Sequence, residues 1–136
     1  MPEDMPATPT AVAHRLYDAL SGADPAALLN LLTDDFEGIV STGMPHGVGG
    51  AHHGPTDMLG VWGTIDALYD VAVEPREYLP VADDRVVVVG RYRGPARDGN
   101  SMVDAAFAHV ITTRGDRVAA LQQITDTARW GIARVT

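Results

Sequence analysis

The chain has 136 residues, 46% of them hydrophobic, with 10 basic against 18 acidic side chains, a formal charge of -8 and no cysteine. A single domain over 1–136 can bury roughly two-thirds of its unfolded surface without disulfides or a structural metal; thiolate chemistry is excluded, and a net negative chain whose cations are all scattered arginines disfavours nucleic acid. No apolar run approaches the roughly 20 residues that span a bilayer and Met1-Pro2-Glu3-Asp4 is unlike a signal peptide, so no membrane association and a cytoplasmic location are expected, with 1–7 as a flexible tail.

Thr8-Pro9 reads as an N-cap followed by a first-turn proline, and Val12, Ala13, Leu16, Tyr17 and Leu20 recur at helical spacing up to Gly22. Asp24-Pro25 repeats the start signal ahead of Ala27, Leu28, Leu31 and Leu32, which predicts a second short helix. Phe36 to Val40 is a brief strand. Ser41 to Gly54, with five glycines, one proline and three histidines, supports neither helical nor strand period and reads as a loop, a candidate lid. Pro55 opens a third helix whose Met58, Leu59, Trp62, Ile65 and Tyr69 share a face, closed by Asp70.

The period then changes. Val71 to Tyr78, Arg85 to Arg93, Ser101 to Thr113 and Arg117 to Asp126 are turn-bounded strands, and connections so short require antiparallel neighbours. The expectation is an α+β domain in which a curved antiparallel sheet and three N-terminal helices form a cone around a hydrophobic cavity. Both faces of the last two strands are apolar, which predicts a homodimer through the sheet faces.

Polar groups on the inward face of the sheet would sit in a dry cavity, and His109 and Gln123 are the candidates. A three-residue Arg114-Gly115-Asp116 turn places Phe107 opposite Gln123 and His109 opposite Leu121; a slip of one residue brings Gln122 inward instead. Met58, Trp62 and Tyr69 read either as core or as cavity wall. In the loop, His46 or His53 could close over a ligand. Adjacent His52 and His53 cannot point the same way and the spacing matches no metal signature, so no metal site is expected. Asp104 and Asp126 fall on the outer face by the same count, and Arg91 and Arg93 read as solvated or interface residues. No nucleotide-binding, serine-elbow or dinucleotide fingerprint is present.

The order helix, helix, short strand, loop, helix, four strands resembles the family of nuclear transport factor two, ketosteroid isomerase, scytalone dehydratase and the SnoaL-like polyketide cyclases. Asp24-Pro25 to Phe36, His53-Gly54-Pro55, Phe107-Ala108-His109-Val110, Arg114-Gly115-Asp116-Arg117-Val118, Gln123 and Thr125-Asp126-Thr127 carry the resemblance. It implies a cone-shaped α+β barrel around a hydrophobic cavity. It also implies action on a polycyclic aromatic, anthracycline-type substrate with neither metal nor bound cofactor.

In the cyclases a histidine and an aspartate on the last two strands perform an intramolecular aldol condensation. His109 matches the first, but Gln123 stands at the second, and an amide cannot take a proton from carbon near neutral pH. The loop from Met44-Pro45-His46-Gly47 to His52-His53-Gly54-Pro55 and the apolar outer face look closer to the anthracycline ring hydroxylases. The resemblance then implies ring hydroxylation with dioxygen and a separate NAD(P)H reductase, His109 donating a proton, Gln123 orienting the ring, and Phe107 and Leu121 lining the cavity with Met58, Trp62 and Tyr69. Cyclisation or isomerisation is the alternative reading, and a non-catalytic binding module a third.

Overall fold

Both N-terminal helices begin where a capping side chain precedes proline. In the computed structural model, which describes residues 7–133, Thr8 Oγ1 accepts the Ala11 N–H at 3.1 Å and opens α1, Pro9–Ser21. Asp24 Oδ1 accepts the Ala27 N–H at 3.2 Å and opens α2, Pro25–Leu31. Of the expected tail, residues 1–6 lie outside the described residues. The left-handed residue after α1 is Ala23, at φ 47, whereas Gly22 is right-handed. The third helix, α3, covers Gly54–Leu68 and ends because Tyr69 turns extended, one residue before the expected stop.

The strands are β1 Leu32–Val40, β2 Gly50–His53, β3 Ala72–Ala82, β4 Arg85–Pro95, β5 Ser101–Arg114, β6 Arg117–Thr125 and β7 Trp130–Ala133. They form one sheet in the order β2-β1-β6-β5-β4-β3, with β7 against β5. Two expectations are corrected here. The sheet is mixed, because β1 runs parallel to β6, and it is open, because β2 and β3 remain at opposite edges; it is neither a closed barrel nor a strongly curled cone.

Closure requires the two edge strands to exchange a full ladder. Here β2 has only four residues, and β3 carries Pro75 and Pro80, which lack an N–H and sit beside register shifts. The glycine-rich stretch is also not all loop. Gly50 to His53 pair with β1, Glu37 opposite His53 and Val40 opposite Gly50, and Gly54 already belongs to α3.

The β5–β6 hairpin sets the inner face. Arg114 pairs with Arg117 around a two-residue Gly115-Asp116 turn with Gly115 at φ 63, and a bulge leaves Ala119 unpaired. These two departures from a three-residue turn shift the register by two, so His109 stands opposite Gln123 and Leu121 opposite Ile111, while Phe107 meets Thr125. An even shift keeps every side chain on its expected face, and Gln123 rather than Gln122 is inward.

Val12 and Leu16 of α1, Phe36 of β1, Val86 and Val88 of β4 and Ile111 of β5 are essentially inaccessible and hold the helices to the sheet. Each contributes about 1.5–3 kcal/mol of burial. Among the described residues no helix is long and apolar enough to cross a membrane.

Candidate functional site

Between the three helices and the inner sheet face lies a cavity of about 200 Å³. Its walls are apolar and aromatic: Leu16 from α1, Met58, Val61 and Trp62 from α3, Leu121 from β6 and Trp130 from β7. The exposed residues Ala23, Pro25, Gly63 and Asp66 mark its mouth between the α1–α2 turn and α3. Tyr92, His109 and Gln123 form its polar end.

His109 is 4% exposed, with both ring nitrogens engaged by phenols: Nδ1 lies 2.8 Å from the Tyr17 hydroxyl and Nε2 2.5 Å from that of Tyr92. The Ser41 backbone N–H can only donate, so its 3.2 Å bond to Gln123 Oε1 turns the Gln123 amide nitrogen toward the Tyr92 oxygen, 3.1 Å away. Ser41 Oγ fastens the same strand by donating to the Gln123 carbonyl at 2.9 Å and accepting the Thr125 N–H at 3.2 Å.

The direction of the remaining bonds follows from which phenol has an outlet. Tyr17 is buried and does not line the cavity, whereas Tyr92 does. With Tyr17 donating to Nδ1 and Nε2–H donating to Tyr92, the Tyr17 and imidazole donors are both satisfied and the Tyr92 proton is left facing the cavity. The opposite polarity would strand the Tyr17 proton in the core.

Burial pushes the His109 imidazole down to about 3, so it is neutral at physiological pH. Burial likewise raises both phenols above their ordinary range; at Tyr17 the neighbouring Tyr92 and Tyr78 add to this, while at Tyr92 the Gln123 hydrogen bond opposes it. The site is therefore uncharged, and its phenol accepts two hydrogen bonds on its oxygen while offering a third to whatever occupies the cavity. Such an arrangement polarises a carbonyl and holds an oxyanion.

The residues singled out in the sequence divide. His109, Gln123, Met58, Trp62, Tyr69 and Leu121 line the cavity. Phe107 does not; it stacks on the imidazole, centroids 4.0 Å apart and planes at 14°, and packs the site from behind. His46, left-handed at φ 65, is also not a wall residue, but its Nε2 lies 2.8 Å from the hydroxyl of wall residue Tyr69. His53 is on the exposed edge strand, 2.9 Å from Glu37, away from the cavity, while His52 turns the other way to donate to the Val48 carbonyl at 2.7 Å.

Asp104 pairs with Arg91 and Arg129 outside the cavity, and Arg93 lies 4.0 Å from Glu74. Among the described residues no group of three histidines or carboxylates is arranged to hold a metal ion.

Sequence reasoning missed Tyr92, Tyr17, Ser41, Asp66 and Trp130. Tyr92 had a signal: it alternates with Arg91 and Arg93 on a strand, so outward arginines place it inward. What sequence does not display is that Gly90, opposite Phe107, leaves the space the aromatic cluster fills. A Cβ there would stand 2.7 Å from Phe107 Cζ and closer still to the Glu74 carbonyl oxygen.

The open α+β sheet covered by three helices over an apolar cavity is a fold shared with solved structures, several of them described as NTF2-like. The chain is similar to an NTF2-like protein of unknown function from Burkholderia pseudomallei, at 24% identity over 90% of this chain and 93% of that one, TM-score 0.80. It is similar to TerC, co-crystallised with polyporic acid, at 22% identity over 90% and 94%, TM-score 0.79. A putative polyketide cyclase from Sinorhizobium meliloti gives 23% identity over 83% and 93%, TM-score 0.65. At these identities the likeness is one of fold. The chain belongs to the SnoaL-like domain family, whose model matches residues 13–121. No curated protein matches it.

Proposed function

We propose that this chain is an enzyme of the cyclase or isomerase type. It binds a ring compound of aromatic polyketide character in the apolar cavity and stabilises an enolate on the way to ring closure or isomerisation. The observation that supports this is the Tyr92 hydroxyl, held at the cavity wall by His109 Nε2 and Gln123 Nε2. A carbonyl oxygen placed there receives the Tyr92 O–H and the second Gln123 N–H. As the adjacent carbon passes its proton to a water admitted through the mouth into the cavity, the charge gathers on that oxygen, and return of a proton from that water to carbon completes the isomerisation.

His109 acts through Tyr92, as a positioning residue. Gln123, at the position where the cyclases carry aspartate, serves as a donor in place of a base. Membership of the SnoaL-like family supports the reading.

Hydroxylation with dioxygen and a reductase partner was the first expectation from the sequence, but no feature of the site favours it over enolate chemistry. The outer sheet face, with Ile39, Val89 and Ile124 exposed, supports a homodimer through that face.

The test is exchange of α-hydrogens in deuterated buffer, followed by proton NMR, for a panel of one- to four-ring aromatic ketones. Protein-dependent exchange that Tyr92→Phe slows by about 10²–10³-fold is the expected result, the usual effect of removing one oxyanion donor. Binding without exchange would leave a binding module, and a protein-dependent gain of one oxygen atom in air would restore hydroxylation.

A further inference from the structure

We infer that the cavity selects a neutral one- or two-ring compound that presents a carbonyl oxygen to Tyr92 and Gln123, and that it rejects anions and fully enclosed four-ring systems. The inference rests on this cavity being the ligand site, as proposed above, but not on the reaction. Size is the first observation. A volume of about 200 Å³ lies above the roughly 150 Å³ that encloses benzene and below the roughly 300 Å³ at which pockets for drug-sized ligands begin. A fused tetracycle would leave much of itself outside.

Hydrogen-bonding polarity is the second. The Tyr69 hydroxyl is bound to His46, the Trp130 N–H to Thr125 Oγ1 at 3.3 Å, Gln123 Oε1 to the Ser41 N–H, and both His109 nitrogens to phenols. Among the described side chains at the polar end of the cavity, the hydrogens left without a protein partner belong to donors: the Tyr92 O–H and the second Gln123 N–H. The complement of unpaired donors in an apolar cavity is an acceptor, and a hydrocarbon would leave them unsatisfied.

Charge is the third. Among the described residues Asp66 is the one charged side chain on the wall; it stands at the mouth paired with Arg97 at 3.5 Å, and the chain carries -8. An anion would meet the net negative charge of the chain on entry and find no cation among the wall residues.

Titration of the full chain with 1-tetralone, tetralin, 1-naphthoate and 5,12-naphthacenequinone, read by tryptophan fluorescence, tests all three statements. Tetralone is expected to bind about 10-fold more tightly than tetralin and at least 100-fold more tightly than naphthoate. Gln123→Leu should narrow the tetralone–tetralin difference while leaving tetralin affinity in place; should that variant fail to fold, the wild-type ratios still decide. Equal binding of tetralone and tetralin, tighter binding of naphthoate or of the four-ring quinone, or no binding by any probe would overturn the inference. Tetralone binding without α-exchange removes the proposed reaction and leaves this inference standing; exchange on four-ring ketones with no tetralone binding does the reverse.

Discussion

Acidification is expected to destabilise this protein through His109 well above the pH at which its carboxylates protonate. The unfolded chain takes up a proton on this imidazole near pH 6.5, whereas the folded chain, with the ring buried, does so only near 3. Between those values the unfolded state binds more protons, so stability is complete above about pH 6.5 and falls as the pH drops toward 3. At pH 5 the loss is about 2 kcal/mol, from 1.36 kcal/mol per pH interval. Urea unfolding at pH 8, 6 and 5, compared with His109→Leu, isolates the effect. The variant sets its own baseline by orphaning two phenols, so the quantity read is the slope with pH. The wild type should lose about 2 kcal/mol more than the variant between pH 8 and 5. Parallel profiles would refute the burial of an uncharged imidazole.

Nitrogen-15 NMR of His109 is expected to show the Nε2–H tautomer; an Nδ1–H ring would reverse the polarity derived for the Tyr17–His109–Tyr92 chain. Tyr92→Phe leaves that buried N–H without its acceptor and should lower unfolding stability by about 1–3 kcal/mol in denaturant titration, with unchanged stability counting against the bond. Ala23→Gly should stabilise by about 0.5–1 kcal/mol, because relief of the left-handed alanine exceeds the added chain entropy of glycine; thermal melts check the sign. Gly90→Ala should cost about 1–3 kcal/mol or more, since Phe107 and the β3 backbone must both retreat, and a neutral melt would contradict the packing described.

Local chemistry was legible in the sequence, and long-range pairing was not. Thr8 and Asp24 announce their helices because a cap and a proline act within one turn. The alternation that points His109, Gln123 and Tyr92 inward survives because strand parity is unaffected by an even register shift. The bulge at Ala119 leaves no local signature, so the opposition of His109 and Gln123 was missed although their shared face was not. The parallel pairing of β1 with β6 joins segments separated by more than half the chain. Ser41 lies in what reads as featureless loop, yet its backbone N–H orients the amide that braces Tyr92. The closed barrel was expected by resemblance, and the prolines that oppose it were in view but unread.

Those prolines have a further consequence at β3. An open sheet presents two rows of unpaired backbone groups, and on β3 exposed Leu79 and Val81 would favour the addition of strands from other molecules. Pro75 and Pro80 interrupt that edge at two points, so no incoming strand finds a continuous ladder. The same residues that keep the sheet from closing on itself therefore also guard it against growing into fibrils.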